Sequence, residues 1–101
     1  MKRETPVVRA VRKMLKARGA WDMKVHGGMF TRAGLPDIVA CLPGGWFVAF
    51  EVKRPGKHKA EKIQNHELAA IAAAGGIVGV VQSKEDAERL IDEAIRKRGA
   101  A

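Results

Sequence analysis

An aspartate, a glutamate and a lysine have the types and spacing that could do chemistry in this sequence: Asp37, Glu51 and Lys53. Glu51 and Lys53 are separated by one residue, so both point to the same face if their segment is a β-strand. Asp37 lies near the start of an apolar run that a short glycine-rich connection joins to the run ending at Lys53. Antiparallel pairing of the two runs would place Asp37 beside Glu51. Three ionisable groups would then converge where the neighbouring residues are apolar.

Two carboxylates a few ångströms apart repel each other unless a cation lies between them. Carboxylate oxygens suit Mg²⁺, with Mn²⁺ as a substitute, and these ions also bind substrate phosphates. Such an ion lowers the pKa of a bound water and neutralises charge on a scissile phosphate. A nearby lysine can orient the water or stabilise the transition state. The alternative interpretation is a surface salt bridge between Glu51 and Lys53, with Asp37 as a turn residue.

The bulk composition favours a small, basic protein of one domain, residues 1–101. A net charge of +8 favours binding to polyanions such as nucleic acid or an anionic membrane surface. Charge alone is equally compatible with a basic protein that has no catalytic activity. The single cysteine, Cys41, excludes an internal disulfide and a cysteine-based zinc site, and its apolar surroundings predict a buried, inert thiol. No run of apolar residues is long enough to span a bilayer, and the amphipathic N-terminus is unlike a signal peptide, so we expect a cytoplasmic protein.

Hydrophobic periodicity predicts an α/β fold in the order α-β-β-β-α-β-α, a mixed β-sheet flanked by helices. Valines and leucines at helical spacing predict a first helix from about Pro6, and Gly75-Gly76 is typical of a helix end. Both faces of the third strand are apolar, which indicates a central strand covered on both sides. Ser83 and Asp86 resemble a capping arrangement for the last helix. The predicted strands are 21–25, 35–42, 46–53 and 77–81, and the middle helix is 61–74.

These motifs resemble the PD-(D/E)xK nuclease superfamily and, within it, the VRR-Nuc (virus-type replication-repair nuclease) family. The residues that carry the resemblance are Gly34-Leu35-Pro36-Asp37-Ile38, Glu51-Val52-Lys53-Arg54-Pro55-Gly56 and Gln64. The resemblance covers nearly the whole chain and implies a restriction-endonuclease-like core that hydrolyses phosphodiester bonds with a divalent metal. It implies that Asp37, Glu51 and the backbone carbonyl of Val52 bind the metal, and that Lys53 is the catalytic lysine.

The resemblance also implies two further members of the site. Glu4 matches an acid that the family carries on its first helix, and it shares a helical face with Val8 and Val11 if that helix starts near Lys2. However, Pro6 could make Thr5 the cap and leave Glu4 outside the helix, where its charge would simply favour the helix dipole. Gln64 lies on the predicted inward stripe of its helix, and it either belongs to the catalytic centre or lies at the edge of that stripe.

The partners expected from these features are DNA and a second copy of the chain, with no membrane and no organic cofactor. The resemblance points to phage or bacterial proteins that act on branched DNA, including four-way (Holliday) junctions. Such a junction is nearly two-fold symmetric, so a homodimer could present two active sites to opposed strands. Basic residues near the site in sequence are candidates for phosphate contacts: Lys24, Arg32, Arg54, Lys57 and Lys59.

The main rival interpretation is a non-catalytic module that binds double-stranded nucleic acid. A double-stranded-RNA-binding domain is also basic and begins α-β-β-β-α. It would explain neither the carboxylates that converge on a central hairpin nor the additional β-α at the C-terminus.

Overall fold

A computed structural model describes residues 4–27, 33–53 and 62–99 of the chain. Within these ranges the elements follow the predicted order α-β-β-β-α-β-α, and the mixed α/β architecture is confirmed. The helices are α1 (Pro6–Ala17), α2 (Lys62–Ala73) and α3 (Lys84–Gly99), and the strands are β1 (Trp21–Lys24), β2 (Ile38–Leu42), β3 (Trp46–Val52) and β4 (Ile77–Val81).

The four strands form one sheet in the order β1-β2-β3-β4. β1 and β2 are antiparallel, as are β2 and β3, whereas β4 runs parallel to β3. The hairpin between β2 and β3 turns through Gly44 and Gly45, which adopt positive φ angles of 95° and 88° that favour glycine. β3 therefore lies inside the sheet, and its last residues are flanked by β2 and β4.

One face of the sheet forms the hydrophobic core with α1 and α3. The side chains of Ile38, Val48 and Phe50 point to this face and are fully buried. α1 contributes Val11 and Leu15, which are also fully buried. We call this the core face; α2 packs against β3 and β4 on the opposite face.

Local capping defines the helix ends. The side chain of Thr5 accepts a hydrogen bond from the Val8 backbone N–H at 3.2 Å, and Pro6 occupies the first turn of α1, where its missing N–H costs nothing. At the start of α3, Ser83 Oγ accepts from the Asp86 N–H at 3.1 Å, and Asp86 Oδ2 accepts from the Gln82 N–H at 2.9 Å. The hydrogen bond from Gln82 holds the pKa of Asp86 below its ordinary value. The predicted cap of α3 is thereby confirmed.

Three local expectations were wrong. β2 begins at Ile38 and not at Leu35, because Pro36 has no N–H to donate to the strand pairing. Cys41 is exposed, since it points away from the core face where α2 does not cover the sheet. Phe47 is 43% exposed for the same reason, so β3 is covered on both sides only from Val48 onward. Among the described residues, no helix has both the length and the apolar character needed to cross a membrane.

Candidate active site

The end of β3 positions the glutamate and the lysine of the predicted site. Glu51 is the sixth residue of the strand, and its side chain is only 3% exposed. Lys53 follows the last strand residue, but its backbone N–H still donates to the carbonyl of Val81 on β4 at 2.9 Å. The extended backbone therefore continues through Lys53. Its Nζ lies 3.5 Å from Glu51 Oε1, so the two side chains share one face as the spacing predicted.

Three hydrogen bonds fix Asp37, two to β3 and one to Val25, the residue that follows β1. Its backbone N–H donates to the Phe50 carbonyl at 2.9 Å, and its carbonyl accepts from the Val25 N–H at 2.8 Å. Its side-chain Oδ2 accepts from the Val52 N–H at 2.7 Å. The Val52 N–H thus pairs with a carboxylate at the point where the regular pairing of β2 with β3 has ended. The position of the Asp37 carboxylate is set by the backbone of the strand that carries Glu51.

The carboxyl group of Glu51 is strained electrostatically. Burial and, after it, the nearby Asp37 together raise the pKa of Glu51 to about 7, because Lys53 only partly opposes them. Oε2 of Glu51 is buried and has no hydrogen-bond partner among the described residues. An unpartnered carboxylate oxygen in a buried position is costly, because nothing replaces the water that it lost. A cation placed between Glu51 and Asp37 would relieve both the repulsion and the missing partner.

The donor set fits a hard divalent cation such as Mg²⁺. Two carboxylates supply oxygen ligands, and Mg²⁺ is commonly held by one or two carboxylates together with water and substrate phosphates. The described residues contain no group of three or more histidine, cysteine, aspartate or glutamate side chains arranged to hold a metal. That excludes a ready-made cage of protein side chains in this part of the chain, as in structural zinc sites. The backbone carbonyl of Val52 stays a predicted ligand.

Glu4 forms an ion pair with Arg12 in the described structure. Thr5 caps α1, so Glu4 precedes the helix, which was the alternative that Pro6 left open. Its Oε2 accepts from Nη1 of Arg12 at 2.8 Å, and the structure does not group it with Asp37 and Glu51 in a three-residue cluster. The role of Glu4 as a metal ligand therefore stays a prediction.

Several predicted contacts lie outside the described residues. These are the phosphate-contact candidates Arg32, Arg54, Lys57 and Lys59. The backbone of Gln64 belongs to α2, as predicted, but its side chain also lies outside the described part. Lys24 ends β1, where it pairs with Ile38, the residue that follows Asp37. Lys24 therefore lies on the strand next to β2, whose first residue follows Asp37.

Two buried carboxylates were not anticipated from the sequence. The side chain of Asp22 is 4% exposed and accepts from Arg12 Nε at 2.6 Å and from Lys16 Nζ at 2.8 Å. Burial alone would raise the pKa of Asp22, but the hydrogen bonds from Lys16 and Arg12 hold it below its ordinary value. Glu67 is 7% exposed on α2. Its position four residues before Ile71, on the inward stripe of the helix, was the available signal.

Comparisons with known proteins agree with this architecture. No family model matches the sequence, and no curated protein matches it. Among solved structures, the chain is similar to one described as a VRR_NUC domain, with 28% sequence identity and a TM-score of 0.72. The similarity covers 85% of this chain and 90% of the matched chain, so it extends over nearly the whole fold and not over a fragment.

The structural match rests on the course of the backbone, whereas the motif rests on the residues of the site. Both point to the same group of proteins. The Pro36-Asp37 motif and the Glu51-Val52-Lys53 motif lie next to each other on the paired strands of that fold. The chain is therefore similar to VRR-Nuc nuclease domains both in its fold and in the residues of its motif.

Proposed function

We propose that the protein is a metal-dependent endonuclease that hydrolyses phosphodiester bonds in DNA, with Mg²⁺ as the cofactor and Mn²⁺ as a substitute. One observation carries the proposal: the buried carboxyl group of Glu51 has an unpartnered oxygen, with Asp37 close enough to raise its pKa and Lys53 Nζ at 3.5 Å. A salt bridge alone would not need the second carboxylate. The similarity to a VRR_NUC domain supports the same activity.

Each residue has a distinct role in this proposal. Asp37 and Glu51 hold the cation, and the rigid attachment of Asp37 to the Val52 N–H keeps its carboxylate in place before the cation binds. When bound there, the cation would supply the chemistry that makes a water acidic and offsets charge on the scissile phosphate. Lys53 holds the attacking water or a phosphate oxygen. Gln64, Glu4 and the Val52 carbonyl are proposed as further members of the centre.

The substrate proposed is branched DNA such as a four-way junction. A net charge of +8 supports a polyanionic substrate, while the preference for branches rests on the family resemblance alone. The chain would act as a homodimer, since two copies can address two opposed strands of a nearly symmetric junction. Lys24, Arg32, Arg54, Lys57 and Lys59 are the proposed phosphate contacts.

A cleavage assay with matched variants tests the activity. Linear duplex, flap and four-way-junction DNA are incubated with the protein in Mg²⁺, in Mn²⁺ and in chelator. We expect cutting in either metal and none in chelator, with cutting lost and binding retained in Asp37→Ala and Lys53→Ala. Lys97→Ala is the control, because Lys97 is an exposed lysine near the end of α3. If the pure protein binds every substrate but cuts none, it is a non-catalytic nucleic-acid-binding module.

A further inference from the structure

The outer face of α1 carries cations and no acid. The apolar residues of the helix are buried against the sheet, and Val8, Val11 and Leu15 mark that inner side. At about 100° per residue, the four cations of the helix fall within a sector of about 100° on the opposite side. We call them the basic ridge: Arg9, Arg12, Lys13 and Lys16.

The basic ridge differs from an ordinary solvated helix face, which mixes charges of both signs. Its members follow one another at spacings of three and four residues, where like charges destabilise a helix. The neighbouring helix α3 packs beside α1 and interleaves five acids with five cations. α1 has no acid to offset its repulsion. An external anion could offset that repulsion.

Two carboxylates pair with part of the basic ridge and leave the rest free. Asp22 accepts from Arg12 and Lys16, and Glu4 accepts from Arg12. Lys16 nevertheless keeps a side chain that is 59% exposed. Within the described part of the chain, neither Arg9 nor Lys13 forms an ion pair, and both are exposed. Five positive charges, counting Lys24, therefore face two negative ones.

The chain topology directs α1 toward the candidate active site. A short turn joins α1 to β1 and reverses the chain, and Gly19 in this turn lies next to Pro43 in the β2–β3 connection. β1 then runs toward Val25, whose N–H donates to the carbonyl of Asp37. Since α1 is antiparallel to β1, its N-terminal half lies toward the end of the sheet that carries Asp37.

Lys24 continues the basic ridge toward Asp37. Lys24 and Asp22 are two residues apart on β1, so both point to the side of the strand that α1 covers. Lys24 also pairs with Ile38, the residue after Asp37. From Arg9 to Lys16 the helix rises by about 10 Å, which corresponds to roughly three base pairs of a duplex. A row of cations thus leads away from the candidate active site.

We infer that the basic ridge binds the sugar–phosphate backbone of a duplex arm that flanks the scissile phosphate. Phosphate contacts position a protein on DNA without reading its sequence. The ridge has no aromatic residue on which an unpaired base could stack, which favours a duplex over a single strand. The apolar side of α1 is buried in the core and could not enter a bilayer, which favours DNA over a membrane. The inference rests on the DNA substrate of the proposed function and adds a binding surface to it.

The salt dependence of DNA binding tests the basic ridge. Binding of labelled linear duplex and four-way-junction DNA is measured by fluorescence anisotropy in chelator over a range of NaCl concentrations. In the double variant Arg9→Gln with Lys13→Gln, we expect at least about tenfold weaker binding at low salt. The slope of log affinity against log salt should become smaller by roughly two, because two phosphate contacts are lost.

The matched control is the double variant Arg96→Gln with Lys97→Gln. It removes the same two residue types and the same charge from exposed positions of α3, at the end of the sheet away from Asp37. The control should keep a slope close to that of the wild-type protein. Equal losses in both double variants, or no loss in Arg9→Gln with Lys13→Gln, would overturn the inference. So would a loss of binding to phosphatidylserine vesicles without a loss of binding to DNA.

The stability of the ridge variant gives an independent check. Removal of Arg9 and Lys13 relieves repulsion between like charges on α1, so the variant should melt at or above the temperature of the wild-type protein. A lower melting temperature would contradict the repulsion on which the inference depends.

A second experiment locates the basic ridge on the DNA. In a Cys41→Ser background, Lys13→Cys and Lys97→Cys each receive an iron–EDTA group, which cuts DNA strands close to it when Mg²⁺ is omitted. We expect cuts in a duplex arm from position 13 and few or none from position 97. No cuts from position 13, or equal cuts from both positions, would show that α1 does not face the DNA.

The two proposals can fail separately, because the binding assay requires no cleavage. A wild-type protein that binds DNA through the basic ridge but never cuts it would retain this inference and reject the nuclease activity. A wild-type protein that cuts DNA, with ridge variants that bind as tightly as it does, would do the reverse.

Discussion

The side-chain Oδ2 of Asp37 accepts a hydrogen bond from the backbone N–H of Val52 at 2.7 Å. This bond joins the two halves of the candidate active site, because Val52 lies between Glu51 and Lys53. A carboxylate that is fixed by backbone does not need to be reoriented when a cation binds. It also explains why Glu51 is electrostatically strained, since Asp37 cannot move away from it.

Glu51→Gln should stabilise the metal-free protein at high pH. The pKa of Glu51 is raised from an ordinary value of 4.5 to about 7, so the folded state binds the proton more tightly than the unfolded chain does. The free energy of unfolding should therefore fall as the pH rises from about 4.5 to 7, by on the order of 3 kcal/mol, and then level off. Urea unfolding of the wild-type protein and of Glu51→Gln at several pH values in this range measures the unfolding free energy. If the unfolding free energy of Glu51→Gln falls with pH as steeply as that of the wild-type protein, Glu51 is not the cause of the pH dependence.

Lys53→Met should extend the fall of the unfolding free energy to higher pH. The ammonium group of Lys53 lowers the pKa of Glu51, so its removal leaves burial and Asp37 unopposed. The decline in unfolding free energy should then extend above pH 7, while catalysis is lost. Lys97→Met, at an exposed position, should leave the pH profile unchanged. Identical profiles for Lys53→Met and the wild-type protein would mean that the ion pair at 3.5 Å has no electrostatic effect.

Asp37→Asn and Asp37→Ala should differ in stability but not in activity. Asparagine keeps an oxygen that can accept from the Val52 N–H, whereas alanine leaves that donor without its partner. The Val52 N–H is only partly buried, so the loss of its partner should make Asp37→Ala the less stable variant by about 1 kcal/mol. Both lack the charge that holds a cation, and both should fail to cut DNA. An active Asp37→Asn variant would show that the carboxylate is not a ligand.

Ser83→Ala should destabilise the protein without changing the chemistry. Ser83 Oγ accepts from the Asp86 N–H at the start of α3, and the loss of such a cap costs about 1 kcal/mol. Thermal unfolding should detect the loss, and the rate of DNA cleavage measured well below the melting temperature should be unchanged. A large fall in cleavage by the folded variant would place the start of α3 within the active site.

Much of the architecture could be predicted from the sequence because it rests on local patterns. The spacing of valines in α1, the Gly75-Gly76 end of α2 and the alternation in β3 are each visible within a few residues. The convergence of Asp37 with Glu51 followed from the short hairpin, which leaves few ways to pair the strands. These are the features in which neighbours along the chain are also neighbours in space.

The remaining features depend on tertiary packing and could not be predicted in the same way. The burial of Asp22 against Arg12 and Lys16 requires α1 to lie across β1, which no local pattern specifies. The exposure of Cys41 depends on where α2 stops covering the sheet, although its sequence context is apolar. The placement of Glu4 before α1 depends on Thr5 being the helix cap, and the sequence left that choice open.

Titration calorimetry of Mn²⁺ into the wild-type protein and Glu51→Gln at pH 8 tests most directly whether Asp37 and Glu51 bind the metal. We expect saturable binding to the wild-type protein and at least about tenfold weaker binding to Glu51→Gln, because one of two charged ligands is lost. The variant is expected to be the more stable of the two at this pH, so weak binding would not reflect unfolding. Equal affinity of the two proteins for Mn²⁺ would contradict the account.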